Sequence, residues 1–327
     1  MGMLVEGRWQ DDQYETRSGE FVRNDSVLRN WVTVDGSSGF RAETRRYHLY
    51  VSLACPWAHR TLILRTLKGL EDAITVSIVN PQMGPEGWGF AEGRGCTRDR
   101  VNGAAFLRDV YLKAKTDYTG RVTVPVLWDR KTGTIVNNES AEIIRMLNSE
   151  FDAFASRELV DLYPEALRPQ IERWNGIIYR TVNNGVYRAG FATAQDKYET
   201  AVNELFATLD MLDQHLGKNR YLCGSVVSEA DWRLFTTLVR FDAVYYGHFK
   251  CNLRRLVDYD NLWGYTRELY QIPGVAATVD MEHIKKHYYR SHPRINPTGL
   301  VPVGPTLDFA APHGRESLEQ ERTIRAG

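Results

Sequence analysis

The stretch YVSLACPWAHR, residues 50–60, decides how the first half of the chain folds. It has the pattern of a strand end, a sharp turn and a helix start, with Cys55 at the corner. Pro56 suits the first helical position, where its missing N–H is not needed. Unsatisfied N–H groups and the positive end of the helix dipole favour the thiolate form of a cysteine at this position. We therefore predict that Cys55 is a reactive thiol; the alternative is a buried, apolar cysteine.

The segments around this corner predict a four-stranded domain. From residue 47 a strand (YHLYVS), a helix (PWAHRTLILRTLKGL) and a strand (AITVSIV) follow one another, which favours a parallel pair with a right-handed crossover. A Gly-rich insertion (PQMGPEGWGFAEGRG), a helix (AAFLRDVYLKA), two short strands (VTVPVLWD and GTIVNN) and a final helix (ESAEIIRMLNSEF) complete the unit. Pro125 cannot donate to a strand ladder, so it belongs at a strand start or an edge. Together these features indicate a thioredoxin-like domain.

The whole chain is predicted to have four segments. Residues 1–45 are polar and form an N-terminal extension, and residues 46–153 form the thioredoxin-like domain. Apolar side chains recur at helical spacing through 154–290, which predicts a second, all-helical domain. Five of the 12 prolines lie in the last segment, 291–327, which is therefore an extended, non-helical strap. The fold class is α/β plus all-α.

Charge and cysteine content exclude several functions. The 327 residues include 41 Lys and Arg against 41 Asp and Glu, with no long run of like charge, so we expect no nucleic-acid or membrane partner. The sequence shows no apolar window of membrane-spanning length and no signal peptide, so we predict a cytoplasmic protein. The four cysteines have no zinc-site or disulfide spacing. We expect no metal cofactor, and inert packing roles for Cys96, Cys223 and Cys251.

Position 58 determines how a reaction that Cys55 begins must end. Redox proteins with a Cys-Pro corner usually carry a second cysteine three positions after the first, but this chain has Ala58. A thiolate that attacks a sulfur-bearing substrate ends as a mixed disulfide, and without a local resolving thiol only an external thiol releases it. In a cytosol that thiol is glutathione. We therefore predict glutathione as a co-substrate, and removal of glutathione from the substrate as the direction of reaction.

A peptide-like ligand needs backbone partners and a polar grip on its γ-glutamyl end. Val124 offers its N–H and C=O if the bond to the following proline is cis. Glu139 and Ser140 open a predicted helix, whose N–H groups attract a carboxylate while Glu139 accepts from the ligand ammonium. The alternative is that these two residues only cap the helix. Trp88, in the Gly-rich insertion, either lines the site or is a packing residue.

Five segments together resemble one family over nearly the whole chain, the glutathionyl-hydroquinone reductases, or Xi-class glutathione transferases. The segments are CPWAHR, TVPVLWD, NNESAEIIRML, VNNGVYRAGFA and HYYRSHPRINPTGLVPVGP. CPWA and ES are also similar to the Omega class. The segments VNNGVYRAGFA and HYYRSHPRINPTGLVPVGP narrow the resemblance to the Xi class. The resemblance implies a thioredoxin-like domain followed by an all-helical glutathione-transferase domain, and a homodimer formed through the helical domain.

The resemblance also implies roles for individual residues. Cys55 is then the nucleophile, and Tyr187 and Tyr288 are the substrate-binding tyrosines; the choice of Tyr288 over Tyr289 rests on the resemblance alone. The implied glutathione-binding residues are Trp88, Arg121, Val124, Glu139 and Ser140. Phenolic hydroxyl groups suit a hydroquinone substrate because they donate to a developing oxyanion when the ring tautomerises to a ketone.

These expectations lead to one reaction and two alternatives. Cys55 attacks the glutathionyl sulfur of a glutathionyl-hydroquinone, and a second glutathione then releases oxidised glutathione. A broader Omega-like thiol transferase or dehydroascorbate reductase would share Cys55 without needing the tyrosines. The other alternative is a non-enzymatic glutathione-transferase-fold scaffold or a membrane-inserting, channel-like protein.

Overall fold

The computed structural model describes residues 2–11, 16–157 and 160–318. The chain divides into two compact units. Unit 1 contains the described residues within 1–13, 24–159 and 278–301, and unit 2 contains those within 14–23, 160–277 and 302–327.

Nine short strands are described. They are β1 (Met3–Val5), β2 (Arg8–Gln10), β3 (Thr16–Arg17), β4 (Glu20–Phe21), β5 (Tyr47–Val51), β6 (Thr75–Ile78), β7 (Gly120–Arg121), β8 (Val126–Asp129) and β9 (Thr134–Asn137). The described α-helices are α1 (Pro56–Leu67), α2 (Leu107–Ala114), α3 (Ser140–Ser149), α4 (Arg168–Ile178), α5 (Gly185–Gly190), α6 (Gln195–Leu216), α7 (Glu229–Leu238), α8 (Asp260–Gln271) and α9 (Met281–Ser291). Two π-helical turns, Tyr179–Asn183 and Phe241–Tyr245, extend the helical segments of unit 2.

The main sheet of unit 1 has the strand order β6-β5-β8-β9. β5 runs parallel to β6 and antiparallel to β8, and β9 is antiparallel to β8. All five residues of β5 are buried, as expected for a central strand covered on both faces. β8 begins directly after Pro125, as predicted. This topology, with α1 joining the parallel pair, confirms the thioredoxin-like fold.

Helix α1 ends three residues earlier than the apolar pattern predicts, because a glycine closes it. Gly69 has a φ of +62°, a conformation that favours glycine. Its N–H donates to the Thr66 C=O (3.1 Å), and the Leu70 N–H donates to the Arg65 C=O (2.9 Å). This pair of bonds is a Schellman motif, which satisfies the last carbonyl groups of the helix.

The N-terminal extension contributes strands and edge contacts to unit 1. β1 pairs with β2 and with β7 in a small antiparallel sheet. Farther along, the Asn30 N–H donates to the Val136 C=O and the Asn138 N–H to the Leu28 C=O, each at 3.0 Å. These bonds pair the extension with the outer strand β9, so the edge of the main sheet is covered rather than exposed.

Helix α9 belongs to unit 1, although the predicted helical segment ran to residue 290. Residues on one face of α9 pack on the Gly-rich insertion. Thr278, which lies just before α9, shares a hydrogen bond with His59 of α1, with Oγ1 and Nε2 2.7 Å apart. The boundaries of the four predicted segments stay a prediction. The two units are divided differently from those segments, because long-range contacts rather than local periodicity determine where α9 packs.

Unit 2 is built from the helices α4 to α8 together with the β3-β4 hairpin. The predicted apolar stripe of α6 is buried, with Leu205, Leu209, Leu212 and Leu216 fully inaccessible. Helix α7 begins with a capping box, in which Asp231 Oδ2 accepts from the Ser228 N–H at 2.8 Å. The helical interpretation of this half of the chain is confirmed.

Among the contacts that attach residues 302–318, the part of the predicted strap in unit 2, are those of a buried arginine, Arg315. Arg315 is 4% exposed, and its Nε donates to Glu268 Oε2 at 3.0 Å. Its terminal nitrogens donate to the carbonyl groups of Leu216 (3.0 Å) and Arg220 (2.6 Å). The guanidinium therefore satisfies the carbonyl group of Leu216, the last residue of α6, and that of Arg220 in the loop that follows.

We expect the substitution Arg315→Met to lower the free energy of unfolding by about 3 kcal/mol, because breaking a buried ion pair leaves polar groups without compensation. Denaturant unfolding followed by circular dichroism measures the change. The matched control is Arg255→Met, which removes a pair with Asp258 in which both side chains are largely exposed (55% and 40%). Because solvent screens exposed ion pairs, Arg255→Met should barely change the denaturant concentration at which half of the protein is unfolded. Equal shifts in the two variants would contradict the buried attachment.

Candidate functional site

Cys55 lies where β5 gives way to α1, at the N-cap of the helix. Pro56 occupies the first helical position, as predicted. The Cys55 N–H donates to the Ser52 C=O (3.2 Å), and its C=O accepts from the His59 N–H (3.0 Å), so the backbone closes the turn on both sides. The side chain is half-buried, and it faces the N-terminal end of the helix dipole. The predicted alternative, a fully buried apolar cysteine, does not fit this exposure.

The segment before Pro125 faces Cys55 directly. The Val124–Pro125 peptide bond is cis, which meets the condition set for Val124 as a backbone partner. Cys55 Sγ lies 3.7 Å from the Val124 carbonyl oxygen. The preceding residue is held by Tyr111, whose hydroxyl donates to the Thr123 C=O at 2.8 Å and accepts from the Thr123 N–H at 3.3 Å. Within the described ranges the Val124 N–H has no protein acceptor, so it is available to a ligand.

Glu139 and Ser140 form the N-terminal turn of α3. Glu139 is the N-cap, and its Oε1 accepts from the Ala141 N–H at 3.0 Å. Its Oε2 accepts from the hydroxyl of Ser26, in the N-terminal extension, at 3.3 Å. The capping role considered from sequence is therefore real. A carboxylate has about four acceptor positions, so these contacts leave room for a ligand ammonium as well.

Arg60 joins the helix of Cys55 to the helix of Glu139. It is 2% exposed, its guanidinium lies over the Trp57 ring (4.5 Å to the centroid), and its Nη1 donates to Ser140 Oγ at 3.4 Å. Nothing in the local pattern links it to Ser140, because the contact joins residues far apart in the chain. The buried cation adds to the positive potential of both helix N-termini.

Trp88 and Tyr288 are connected through α9. Trp88 is 7% exposed, and its indole stacks on the His287 ring with centroids 4.7 Å apart and planes at 23°. Tyr288, the next residue of α9, is 1% exposed and contacts the same histidine edge to face (5.2 Å). Tyr289 is half-buried, and burial raises the pKa of its phenol. The structure thus brings Trp88 and Tyr288 to one histidine that the sequence did not single out.

The two remaining predicted residues lie elsewhere. Arg121 is half-buried in β7, whose partner strand is β1 of the extension. Tyr187 belongs to unit 2, where it lies in α5 and is 6% exposed. Its ring packs against four aromatic side chains and lies under a guanidinium at 4.9 Å. These neighbours are Phe21, Phe191, Tyr245 and Phe249, with Arg23 as the cation.

The other three thiols lie in environments that oppose ionisation. Burial raises the pKa of Cys223 to about 11 and raises the pKa values of Cys96 and Cys251 as well. Cys223 and Cys251 are buried, and Cys96 is half-buried. Because the thiolate is the nucleophile, these groups are poor candidates for the reaction at neutral pH. All four cysteines are thiols rather than disulfides.

Residues 2–11, 16–157 and 160–318 contain no group of three or more His, Cys, Asp or Glu side chains arranged to hold a metal ion. No helix among them is sufficiently long and apolar to cross a bilayer.

Comparison with known families agrees with this geometry. Residues 54–150 match the family model of the glutathione S-transferase N-terminal domain, and residues 194–268 match that of the C-terminal domain. The first match begins one residue before Cys55 and ends just beyond α3. It therefore contains the Cys55 turn, the Val124 segment and the Glu139 turn.

Full-length relatives and solved structures are also similar. The glutathionyl-hydroquinone reductase YqjG of Escherichia coli is 55% identical over 97% of this chain and 99% of its own length. The glutathionyl-hydroquinone reductase PcpF of Sphingobium chlorophenolicum is 53% identical over 93% and 96%. The structure of a Xi-class glutathione transferase from Natrialba magadii matches with a TM-score of 0.92, at 53% identity over 98% of both chains. Glutathione-bound YqjG matches with a TM-score of 0.90, at 53% identity over 97% and 99%. The resemblance inferred from the motifs is confirmed, and the chain belongs to the Xi class of the glutathione transferase family, together with the glutathionyl-hydroquinone reductases.

Proposed function

We propose that this protein reduces glutathionyl-hydroquinones to hydroquinones, with glutathione as co-substrate. The observation that carries the proposal is the half-buried Cys55 at the N-cap of α1, with alanine at position 58 in place of a resolving cysteine. The thiol faces Val124, whose N–H is available to a peptide-like ligand. Such a site forms a mixed disulfide with glutathione and depends on a second glutathione to release it.

Glutathione binds through its peptide backbone and its γ-glutamyl end. Val124 pairs with the cysteinyl backbone of the ligand, which places the ligand sulfur next to Cys55. The N-terminal turn of α3 holds the γ-glutamyl carboxylate through its N–H groups and Ser140. Glu139 accepts from the ammonium. Trp88 and Arg121 complete the glutathione side of the site, an assignment that rests on the resemblance.

In the first half-reaction the Cys55 thiolate attacks the glutathionyl sulfur of the ketone tautomer of the substrate. The new bond joins Cys55 Sγ to that sulfur, and the bond from sulfur to the ring carbon breaks. Its electron pair stays with the ring, which takes up a proton and leaves as the hydroquinone. The ring carbon is thereby reduced, and Cys55 and the glutathionyl sulfur are oxidised to a disulfide.

In the second half-reaction a glutathione thiolate attacks the glutathionyl sulfur of this disulfide. Oxidised glutathione leaves and the Cys55 thiolate is restored. One glutathionyl-hydroquinone and one glutathione are thus converted into one hydroquinone and one oxidised glutathione. The reaction needs no metal and no further reductant.

Tyr288 and Tyr187 are the proposed donors to the hydroquinone oxygens. A hydrogen bond to the oxygen that becomes an oxyanion stabilises the charge that develops during tautomerisation and C–S cleavage. Tyr288 shares unit 1 with Cys55, and Tyr187 receives the same role from the resemblance of VNNGVYRAGFA alone. The small mixed disulfides of glutathione need no such donor.

Liquid chromatography of a glutathionyl-hydroquinone incubated with the protein and glutathione tests the function. We expect hydroquinone and oxidised glutathione to appear in a ratio of one to one. Turnover of a small mixed disulfide of glutathione, but not of the hydroquinone conjugate, would instead favour the broader Omega-like thiol transferase.

We further propose that the protein acts in the cytoplasm, where reduced glutathione is abundant, and as a homodimer formed through the helical domain. The resemblance to the Xi class supports the dimer. Sedimentation analysis of the purified protein measures it, and a single species at the monomer mass would contradict it.

A further inference from the structure

Helix α9 anchors the Gly-rich insertion through three residues spaced four apart on one face. His283 Nε2 donates to the Arg94 C=O at 2.8 Å, and His287 Nδ1 donates to the Pro81 C=O at 2.9 Å. Ser291 Oγ accepts from the Met83 N–H at 3.0 Å. Because a carbonyl oxygen only accepts, each of these ring nitrogens must carry a hydrogen. Both ends of the insertion are therefore attached to the same face of α9.

The insertion approaches α9 too closely for a side chain at one point. Gly95 has a φ of +71°, and a Cβ built on it would lie 2.5 Å from His283 Nε2. Both the backbone conformation and the contact distance therefore require glycine here. Gly95 thus has a structural use, since it lets the backbone of the insertion dock against His283 of α9.

Trp88 lies between these two anchored ends. Its backbone C=O accepts from the Leu107 N–H at 2.8 Å, which attaches it to the start of α2. Its indole is held by stacking on His287. The His287 ring also contacts Tyr288, so one imidazole contacts both a proposed glutathione-binding residue and a proposed hydroquinone-binding residue.

We propose that His287 is a positioning residue of the active site, whose ring sets the orientation of Trp88 and Tyr288 together. The proposal rests on the function proposed above. His287 touches neither substrate; it acts through the two aromatic side chains. A shift of about 1 Å in a positioned group lowers the rate by up to about a hundredfold, so its loss should be visible in turnover without unfolding the protein.

Two substitutions at His287 distinguish the contribution of its ring from that of its hydrogen bond to the Pro81 C=O. His287→Asn keeps an N–H donor that can reach the Pro81 C=O but removes the stacking surface, whereas His287→Phe keeps the ring and removes the donor. We expect His287→Asn to lower kcat on a glutathionyl-hydroquinone about tenfold and to raise the KM for glutathione about tenfold. His287→Phe should keep both constants within about threefold of wild type. The control His283→Leu removes a neighbouring anchor of the insertion and should leave kcat near wild type.

The same variants are assayed with the mixed disulfide of glutathione and mercaptoethanol. Here His287→Asn should raise the KM for glutathione, through Trp88, while kcat stays unchanged because no hydroquinone oxygen is involved. A purely structural role would lower both activities in proportion to the loss of folded protein, which melting curves report. Equal losses in His287→Asn and His287→Phe, or a matching loss in His283→Leu, would overturn the proposal and leave His287 as an anchor of the insertion.

The failure of the proposed function has a different signature. In that case wild type would reduce the mixed disulfide but not the hydroquinone conjugate. The KM for glutathione would still test whether His287 positions Trp88. A KM that rises in His287→Asn but not in His287→Phe supports positioning by the ring, and an unchanged KM in His287→Asn overturns the proposal.

Discussion

Cys55→Ser is expected to abolish turnover of a glutathionyl-hydroquinone while the fold and the affinity for glutathione stay close to wild type. The serine hydroxyl is isosteric enough to occupy the N-cap but is not ionised at neutral pH, so no nucleophile is present. In the proposed binding mode glutathione is held mainly by Val124 and the α3 N-terminus, and the substitution changes neither. Steady-state kinetics and isothermal titration with glutathione measure the two effects, and activity near wild type would remove Cys55 from the mechanism.

Mass spectrometry of the intact protein identifies the reacting thiol independently of activity. Wild type incubated with oxidised glutathione should gain one glutathionyl group, and peptide mapping should locate it on Cys55. The matched control is Cys96→Ser, which removes the half-buried thiol whose pKa is raised by burial, and it should still gain one group. If the modification disappeared in Cys96→Ser and persisted in Cys55→Ser, the reacting thiol would be Cys96 and not Cys55.

Tyr288→Phe and Tyr187→Phe are each expected to lower the rate with a glutathionyl-hydroquinone by about a hundredfold to a thousandfold, the usual loss when a donor to a developing oxyanion is removed. The same variants should reduce a small mixed disulfide of glutathione at nearly the wild-type rate. The substitution removes one hydroxyl and keeps the ring, so stability should change by only about 1 kcal/mol. Parallel assays on the two substrates, with melting curves, separate a catalytic loss from a structural one.

Tyr289→Phe is the matched control, since this tyrosine neighbours Tyr288 on α9 and is half-buried rather than buried. We expect it to retain activity on both substrates. If Tyr289→Phe lost the hydroquinone activity and Tyr288→Phe kept it, the assignment of the donor would move by one residue. Equal losses on both substrates would indicate a role in glutathione binding, and no loss in any tyrosine variant would favour the broader thiol transferase.

Several features of the protein depend only on neighbouring residues and were therefore predictable. The placement of Cys55 at a helix N-cap follows from the apolar strand before it and from Pro56 after it. The capping box of Ser228 and Asp231 spans four residues, and the buried stripe of α6 follows the helical period. The cis conformation before Pro125 was a condition stated from sequence and is met. The absence of a resolving cysteine at position 58 is a property of the sequence itself.

Other features depend on which surfaces pack together, and no local pattern carries that information. The contact of Arg60 with Ser140 joins two helices that are distant in the chain, so the residues next to Arg60 in sequence do not predict it.

The surroundings of Trp88 likewise depend on packing between distant segments. A lone tryptophan in a Gly-rich segment has the same sequence signature whether it lines a site or packs in a core. Trp88 contacts His287 only because α9 docks on the insertion. The same histidine contacts Tyr288, so His287 links the two aromatic residues. The position of Cys55 at a helix N-cap and the lack of a second thiol at position 58 follow from residues within one turn, so the sequence is enough to read both. The role of Cys55 as the nucleophile stays a prediction. The arrangement of the aromatic residues was decided only by packing, because stacking and hydrogen bonding to backbone carbonyls become possible once distant segments are brought within a few ångströms.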